Sequence, residues 1–384
     1  MKILLTTTYY LPNISGITIY IQVLAEELVK RGHQVTILTS WHDKKTQKEE
    51  IVNGVLIKRV PVWFYIGKGP IYPYFLVSSI KEILKNDIIN CHLPQPESLW
   101  LAIWSKFFNK KIFLTQHTDL SFWPGVKNKL IDGGVFACQF LAAKLADKII
   151  PYTLDYAKNS YFLKNFLKKT EEVYPPIRVS FKENKKIAKD IDKVIADKKY
   201  IIGFCGRIAK QKGLEVLINT IDKLKKEIGD NYIILLAGPK KIIGERYYEY
   251  LYSKYKKEID EKFIFLGNIE RDSLAEFYKK IGVLVLPSND TLESFGWVQI
   301  EAMYCGTPCV ATNLPGMRIP IVKTGFGEIF KKNDSNDLSK KLAIVLKRGK
   351  SFYQIKDSKK LNNFDYNRSI DQYEKLFKES LCQK

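Results

Sequence analysis

The sequence predicts an α/β protein of two doubly wound domains, each built on its own parallel sheet. Three observations predict it. The 384 residues are many for one core and comfortable for two domains. Runs rich in β-branched residues alternate with amphipathic stretches from the start, the pattern of parallel strands joined by helices. And "VYPPIRVSFKENKKIAKD", two prolines followed by a lysine-rich segment, interrupts the alternation, which then resumes. The division that follows is a domain over 1–176, a linker over 177–198, a domain over 199–363 and a terminal helix over 364–384. Pattern alone does not place that helix; its expected position is back on the first domain.

Each element has its own warrant. "KILLTTT" reads as a buried strand and "ITIYIQVLAEELVKRG" as an amphipathic helix closing on Gly32. "HQVTILTS", "DIINCH", "KIFLTQH" and "KIIPYT" continue the strands, with helices near 70–85, 97–108 and 128–146. "IVNGVLIKRVPVWF" breaks the rhythm and reads as a hairpin. In the second half the strands are "YIIGFCGRI", "NYIILLAG", "KFIFLG", "VLVLPS" and "TPCVAT". Ligands of such sheets bind beyond the carboxyl ends of the strands, so the two edges are expected to face one another across a cleft.

Composition narrows the function classes. There are 62 basic and 41 acidic residues, a net +21, but the excess is spread over both halves and is mostly lysine. Neither a concentrated basic face nor a reading module is visible, which argues against a nucleic-acid-binding protein. A general lysine-rich surface or attraction to an anionic membrane remains. The six cysteines form no CxxC pair and sit mostly in apolar runs, as expected in a reducing compartment without disulfides or zinc. "MKILLTTTYY" reads as a strand rather than a leader, and no apolar run approaches a membrane span. The expected location is cytoplasmic, or peripheral at the inner face of the membrane.

Two segments carry chemistry. In "GFCGRIAKQKG" a strand ends at Cys205, Gly206 makes a tight turn, and Arg207 and Lys212 follow; a planar fork and a point charge together suit a diphosphate. In "ESFGWVQIEAMYCGTP" Glu293 lies in the loop after a strand, and a helix starting near Gly296 carries Glu301. The backbone around Phe295, Gly296, Trp297 and Val298 is then an anion site at a helix start. A carboxylate on each side of it suits ribose hydroxyls and sugar hydroxyls, so one ligand explains the set, a nucleotide sugar. The plainer alternative is that Glu293 caps the helix and Glu301 pairs with a lysine.

"ESFGWVQIEAMYCGTPCVAT" resembles the E-x7-E signature of the family-4 retaining glycosyltransferases, which have the GT-B fold of two Rossmann-like domains. "GRIAKQKG" is similar to that family's phosphate-binding turn, and "FIFLGNIERDSLAEFYKKIGVLVLPS" to the segment leading into the signature. The likeness is dense over 201–317. It implies that Glu301 holds the ribose, Glu293 the donor sugar, and Arg207 and Lys212 the diphosphate, without a metal ion or other cofactor. It places Ile269 at the start of the base-contacting loop and Gly16, in "PNISG", against the diphosphate. It implies a histidine beside the donor sugar, which His117 matches at the end of "KIFLTQH"; an imidazole there is expected to exchange a proton near neutrality. His92, at a similar strand end, is either an acceptor contact or structural, and His33 is read as structural. The single D-x-D, Asp190 and Asp192, lies in the lysine-rich stretch and reads as solvated surface.

On the acceptor side, "VPVWFYIGKGPIYPYF" mixes aromatics with Lys68, and "LSFWPG" adds Phe122 and Trp123 after His117. Such residues stack on sugar rings or dip into a membrane interface. The reading is a retaining hexosyltransferase using a nucleotide-diphosphate sugar and a glycan or lipid-linked acceptor, in cell-envelope glycan or glycolipid synthesis. The enzyme alternatives are a sugar-nucleotide epimerase or a glycan phosphorylase of the same architecture. No segment argues for the phosphorylase's pyridoxal-phosphate lysine.

Overall fold

The computed structural model of the chain describes residues 1–67, 69–120, 125–179, 182–195, 197–240, 246–353 and 358–382. Phe122, Trp123 and Lys68, read above as acceptor-side residues, lie outside the described residues. The chain forms two compact units, one of Met1–Pro176 with Phe364–Lys384 and one of Ile177–Asn363.

The strands of the first unit are β1 (Lys2–Thr6), β2 (Gln34–Trp41), β3 (Glu49–Val52), β4 (Val55–Pro61), β5 (Phe64–Ile66), β6 (Gly69–Ile71), β7 (Ile88–Leu93), β8 (Lys111–Gln116) and β9 (Lys148–Pro151). Seven of them make one sheet in the order β3-β4-β2-β1-β7-β8-β9. All neighbours run parallel except β3 and β4. Ile3, Leu4 and Leu5 are all buried, as a strand covered on both faces requires. The expected hairpin exists, turning at Asn53-Gly54, but its second strand is no excursion. β4 continues into the sheet parallel to β2, with Ile37 opposite Ile57. The helix expected near 70–85 starts only at Tyr74, because β5 and β6 pair with each other just before it.

The C-terminal helix Tyr366–Cys382 belongs to this unit. Ile370, Tyr373 and Phe377, spaced three and four apart, make one buried stripe. Phe377 packs edge-on against Phe113 at 4.8 Å between ring centroids. The Tyr373 hydroxyl bonds to that of Tyr20 at 2.7 Å and to Thr115 Oγ1 at 2.9 Å.

The second unit has β10 (Tyr200–Cys205), β11 (Tyr232–Ala237), β12 (Phe263–Gly267), β13 (Val283–Leu286), β14 (Cys309–Thr312) and β15 (Gly327–Phe330). Their order is β12-β11-β10-β13-β14-β15, all parallel. The chain winds outward from β10 in one direction and then returns to start the other at β13. The crevice at the carboxyl ends of β10 and β13 is therefore the switch point where this architecture binds ligands.

The segment expected as a linker is folded into this unit. Lys185–Ile195 is a helix with Ile191 buried, and Asp192 pairs with Lys280 at 2.6 Å. Ile187 and Ile191 give it a narrow apolar stripe, which the surrounding lysines obscure in the sequence. All six cysteines are free, and among the described residues no helix is long and apolar enough to cross a membrane.

Candidate functional site

The site in the second unit begins where β10 ends. After Cys205 the chain passes Gly206 and the exposed Arg207, then makes a short 3-10 turn, Lys210–Lys212, before Gly213. Gly213 has φ +66, and a Cβ there would stand 1.9 Å from the Pro287 carbonyl oxygen. Only glycine lets this turn lie against the end of β13. The Asn289 N–H closes the contact by donating to the Gln211 carbonyl at 3.1 Å.

That docking sets Lys212 Nζ against Glu293, to whose Oε2 it donates. The other oxygen, Oε1, accepts the Gly296 N–H at 3.1 Å. Gly296 (φ +73) caps the helix Trp297–Tyr304, and a Cβ there would meet Gln299 Nε2 at 2.7 Å. Phe295 is buried, while Trp297 and Val298 open the helix at its positive dipole end. One carboxylate thus ties the basic turn to the helix start.

Glu301 lies one turn further, 8% exposed. The Tyr278 hydroxyl donates to its Oε2 at 2.9 Å, and Arg271 stands 3.6 Å from its Oε1. Burial pushes this carboxyl above its usual range, against the pull of Arg271 and Tyr278. Cys205, whose thiol burial pushes up to about 12, feels the charges of both Glu301 and Lys212, so this acid and this base both stand near the end of β10. Ile269, half-buried, stands just beyond the end of β12, two residues before Arg271.

In the first unit, Gly16 opens the helix Gly16–Lys30, and a Cβ there would meet nothing within 4 Å. Ser15, in the place of a second glycine, caps that helix reciprocally with Thr18 at 3.2 and 2.8 Å. His117 does not behave as expected. It is 3% exposed, with Nδ1 bonded to the Tyr152 hydroxyl and Nε2 to His92 Nδ1 at 2.9 Å. Burial first, then the neighbouring His92, drives its pKa well below the imidazole range, so it is neutral near pH 7. A proton exchanger at neutrality is thereby replaced by a fixed, neutral imidazole. His92 is also buried, with its pKa lowered to about 3, and its Nε2 has no hydrogen-bond partner. His33 bridges to Glu374 at 3.2 Å, the structural role read for it.

The family model for glycosyl transferases group 1 matches residues 185–367, and that for Glycosyltransferase Family 4 matches residues 14–159. The chain belongs to the group 1, family 4 glycosyltransferases. Its fold is GT-B. The Anabaena Alr3699/HepE structure in complex with UDP and glucose superposes with a TM-score of 0.76 at 15% identity, covering 99% of this chain and 100% of that one. The N-acetyl-alpha-D-glucosaminyl L-malate synthase of Bacillus anthracis is 23% identical, over 98% of this chain and 97% of its own length. The alpha-monoglucosyldiacylglycerol synthase of Streptococcus pneumoniae is 25% identical, over 86% and 75%.

For a glycosyltransferase of this fold, sequence reading missed Gly213, Arg271 and Tyr278. Arg271 had a signal, a basic residue just past a strand end in "GNIERD". Tyr278 had none, because a tyrosine on an apolar helix face looks like core. Both plainer alternatives are partly realised: Glu293 accepts the N–H of Gly296, the residue that caps the helix, and Glu301 has a cationic partner, although it is Arg271 and not a lysine. Asp190 and Asp192 stand on the helix Lys185–Ile195 paired with Lys193 and Lys280.

Proposed function

We propose that this glycosyltransferase moves a hexosyl unit, with retention and without a metal ion, from a nucleotide-diphosphate sugar to a hydroxyl of a glycan or lipid-linked acceptor. Its setting is cell-envelope glycan or glycolipid synthesis at the cytoplasmic face of an anionic membrane. The observation that carries the donor reading is Glu293, held between Lys212 and the Gly296 N–H, eight residues before the buried Glu301.

In this reading Lys212 and Arg207 meet the charge that grows on the diphosphate as the glycosidic C–O bond breaks, and the helix start at Trp297 and Val298 adds fixed dipoles. Glu301, oriented by Tyr278 and Arg271, accepts from the ribose hydroxyls, and Glu293 from hydroxyls of the sugar. Ile269 lines the base. The acceptor hydroxyl attacks from the side the diphosphate leaves and passes its proton to the departing oxygen. His117 is a neutral group, held by Tyr152 and His92.

The relatives' names carry L-malate in one case and diacylglycerol in the other, so they do not choose between soluble and lipid acceptors. The exposed aromatics of the first unit favour the lipid. The test is transfer from UDP-, GDP- and ADP-sugars by the full chain, with the product's anomeric configuration read by NMR. Retention is expected, with rates lowered roughly 10²–10³-fold in Glu293→Gln and Lys212→Ala, the usual loss of one charge-stabilising contact. An inverted product, or full activity in both variants, sinks the reading.

A further inference from the structure

The first unit carries a ridge of exposed aromatic and aliphatic side chains on the β5–β6 hairpin and two helices. Trp63, 61% exposed beside the β5–β6 hairpin, packs edge-on against Tyr74 at 5.7 Å. Tyr74 opens the helix Tyr74–Lys85, whose outer face also presents Val77, 58% exposed. Trp100 of the next helix, Ser98–Phe107, donates its indole N–H to the Leu76 carbonyl at 3.0 Å and so joins the two helices. Trp100 contacts Trp104, and Trp104 contacts Phe107, which is 73% exposed. The exposed apolar positions 74, 77 and 84 on one helix and 103 and 107 on the other recur at helical spacing, where a water-facing helix would carry polar residues.

The charges on these helices are sorted by sign. Lys81 and Lys85 point outward, and Lys106 is half-exposed. The acids are turned in. Glu82 is buried and held by Lys58 at 2.9 Å, and Glu97 accepts from the Tyr72 hydroxyl at 3.1 Å. Asp147, from the loop before β9, stands beside Lys106 at 2.8 Å and is the acidic group packed against this end of the face. A face with aromatics, aliphatics and lysines outside and its own carboxylates inside complements a bilayer interface bearing anionic headgroups.

We propose that this ridge is the membrane-docking surface of the protein and that its partner is an anionic lipid bilayer. The inference rests on the peripheral-membrane part of the functional reading and locates it. The geometry also gives it a purpose. The hairpin and the starts of both helices follow the carboxyl ends of β4 and β7, the sheet edge that also carries Gly16 and His117. A lipid-linked acceptor rising from the interface beside Trp63 and Tyr74 therefore reaches that edge without leaving the bilayer.

The test is flotation of the full chain at low salt with vesicles of phosphatidylcholine alone and of phosphatidylcholine with phosphatidylglycerol. The wild type is expected to float with the anionic vesicles. Val77→Ser/Phe107→Ser, two exposed positions whose change leaves the core intact, is expected to lower partitioning at least tenfold. Lys81→Gln/Lys85→Gln is expected to reduce it and to flatten its salt dependence. Stabilisation of each variant by nucleotide diphosphates is measured in parallel and is expected to match the wild type, which separates this surface from the donor site. Failure of the wild type to float overturns the proposal. So does equal flotation of the double-serine variant, or a ridge that proves to be an interface between two copies because the serine variant turns a dimer into a monomer.

Discussion

Gly213→Ala perturbs the close approach of the basic turn to the loop after β13. An alanine forced into the left-handed region costs roughly 1–2 kcal/mol. Its Cβ would also lie 1.9 Å from the Pro287 carbonyl oxygen, a backbone atom that no rotamer change can move away. Relieving that overlap displaces either the turn or the loop after β13, at roughly another 1–3 kcal/mol by analogy with overpacked sites. The total, about 2–5 kcal/mol, corresponds to a fall in Tm of roughly 4–20 °C for a unit of this size. Urea or thermal unfolding reads the loss, and titration with nucleotide diphosphates reads the misplacement of Lys212 relative to Glu293. Both should change together. A Gly213→Ala variant with wild-type midpoint and wild-type nucleotide affinity would refute the claim that this glycine positions the site.

Further outcomes follow from titrating groups whose pKa the fold shifts. Glu301→Gln should keep the Tyr278 bond and weaken nucleotide affinity roughly tenfold, the scale of a lost charge-assisted hydrogen bond. Because the wild-type carboxyl is raised, the folded state binds the extra proton, and its stability falls as pH rises from 4.5 through the raised value. The variant's relative stability should therefore grow between pH 4.5 and 8 in equilibrium unfolding; a constant difference would deny that burial governs Glu301. His92 and His117 should show no imidazole NMR titration between pH 8 and 5.5, and a midpoint near 6.5 for His117 would contradict its buried bridge. Glu374, held down to about 2 by Lys378, then Arg31 and His33, stabilises above pH 4.5, and that contribution is lost as pH falls through 2. Glu374→Gln should thus cost roughly 1 kcal/mol at pH 7, discounted for solvent screening, and nothing near pH 2.

Much of this molecule is readable from its sequence because parallel strands buried on both faces are written as uninterrupted apolar runs. "YIIGFCGRI", "NYIILLAG" and "VLVLPS" contain β10, β11 and β13, running one to three residues past their ends. Glu293 and Glu301 stand out because carboxylates in apolar company need a reason. What eludes the sequence is pairing and depth. That β4 lies beside β2 depends on which way a hairpin's second strand turns, which no local pattern encodes. The helix Lys185–Ile195 hides its two-residue stripe among lysines. His117 sits at a strand end where exposure is the natural expectation, yet Tyr152 and His92 arrive from elsewhere in the chain and seal it. Tyr278 reaches Glu301 from 23 positions away.

The central claim is that the carboxyl edge of the second sheet binds a nucleotide-diphosphate sugar through Lys212, Glu293 and Glu301. Calorimetric titration of the full chain with UDP, GDP and ADP tests it most directly. One of the three should bind at a single site, and Lys212→Ala should weaken it roughly 10- to 100-fold, the loss of a hydrogen bond to a charged group. Binding of none, or equal binding to Lys212→Ala, would contradict it.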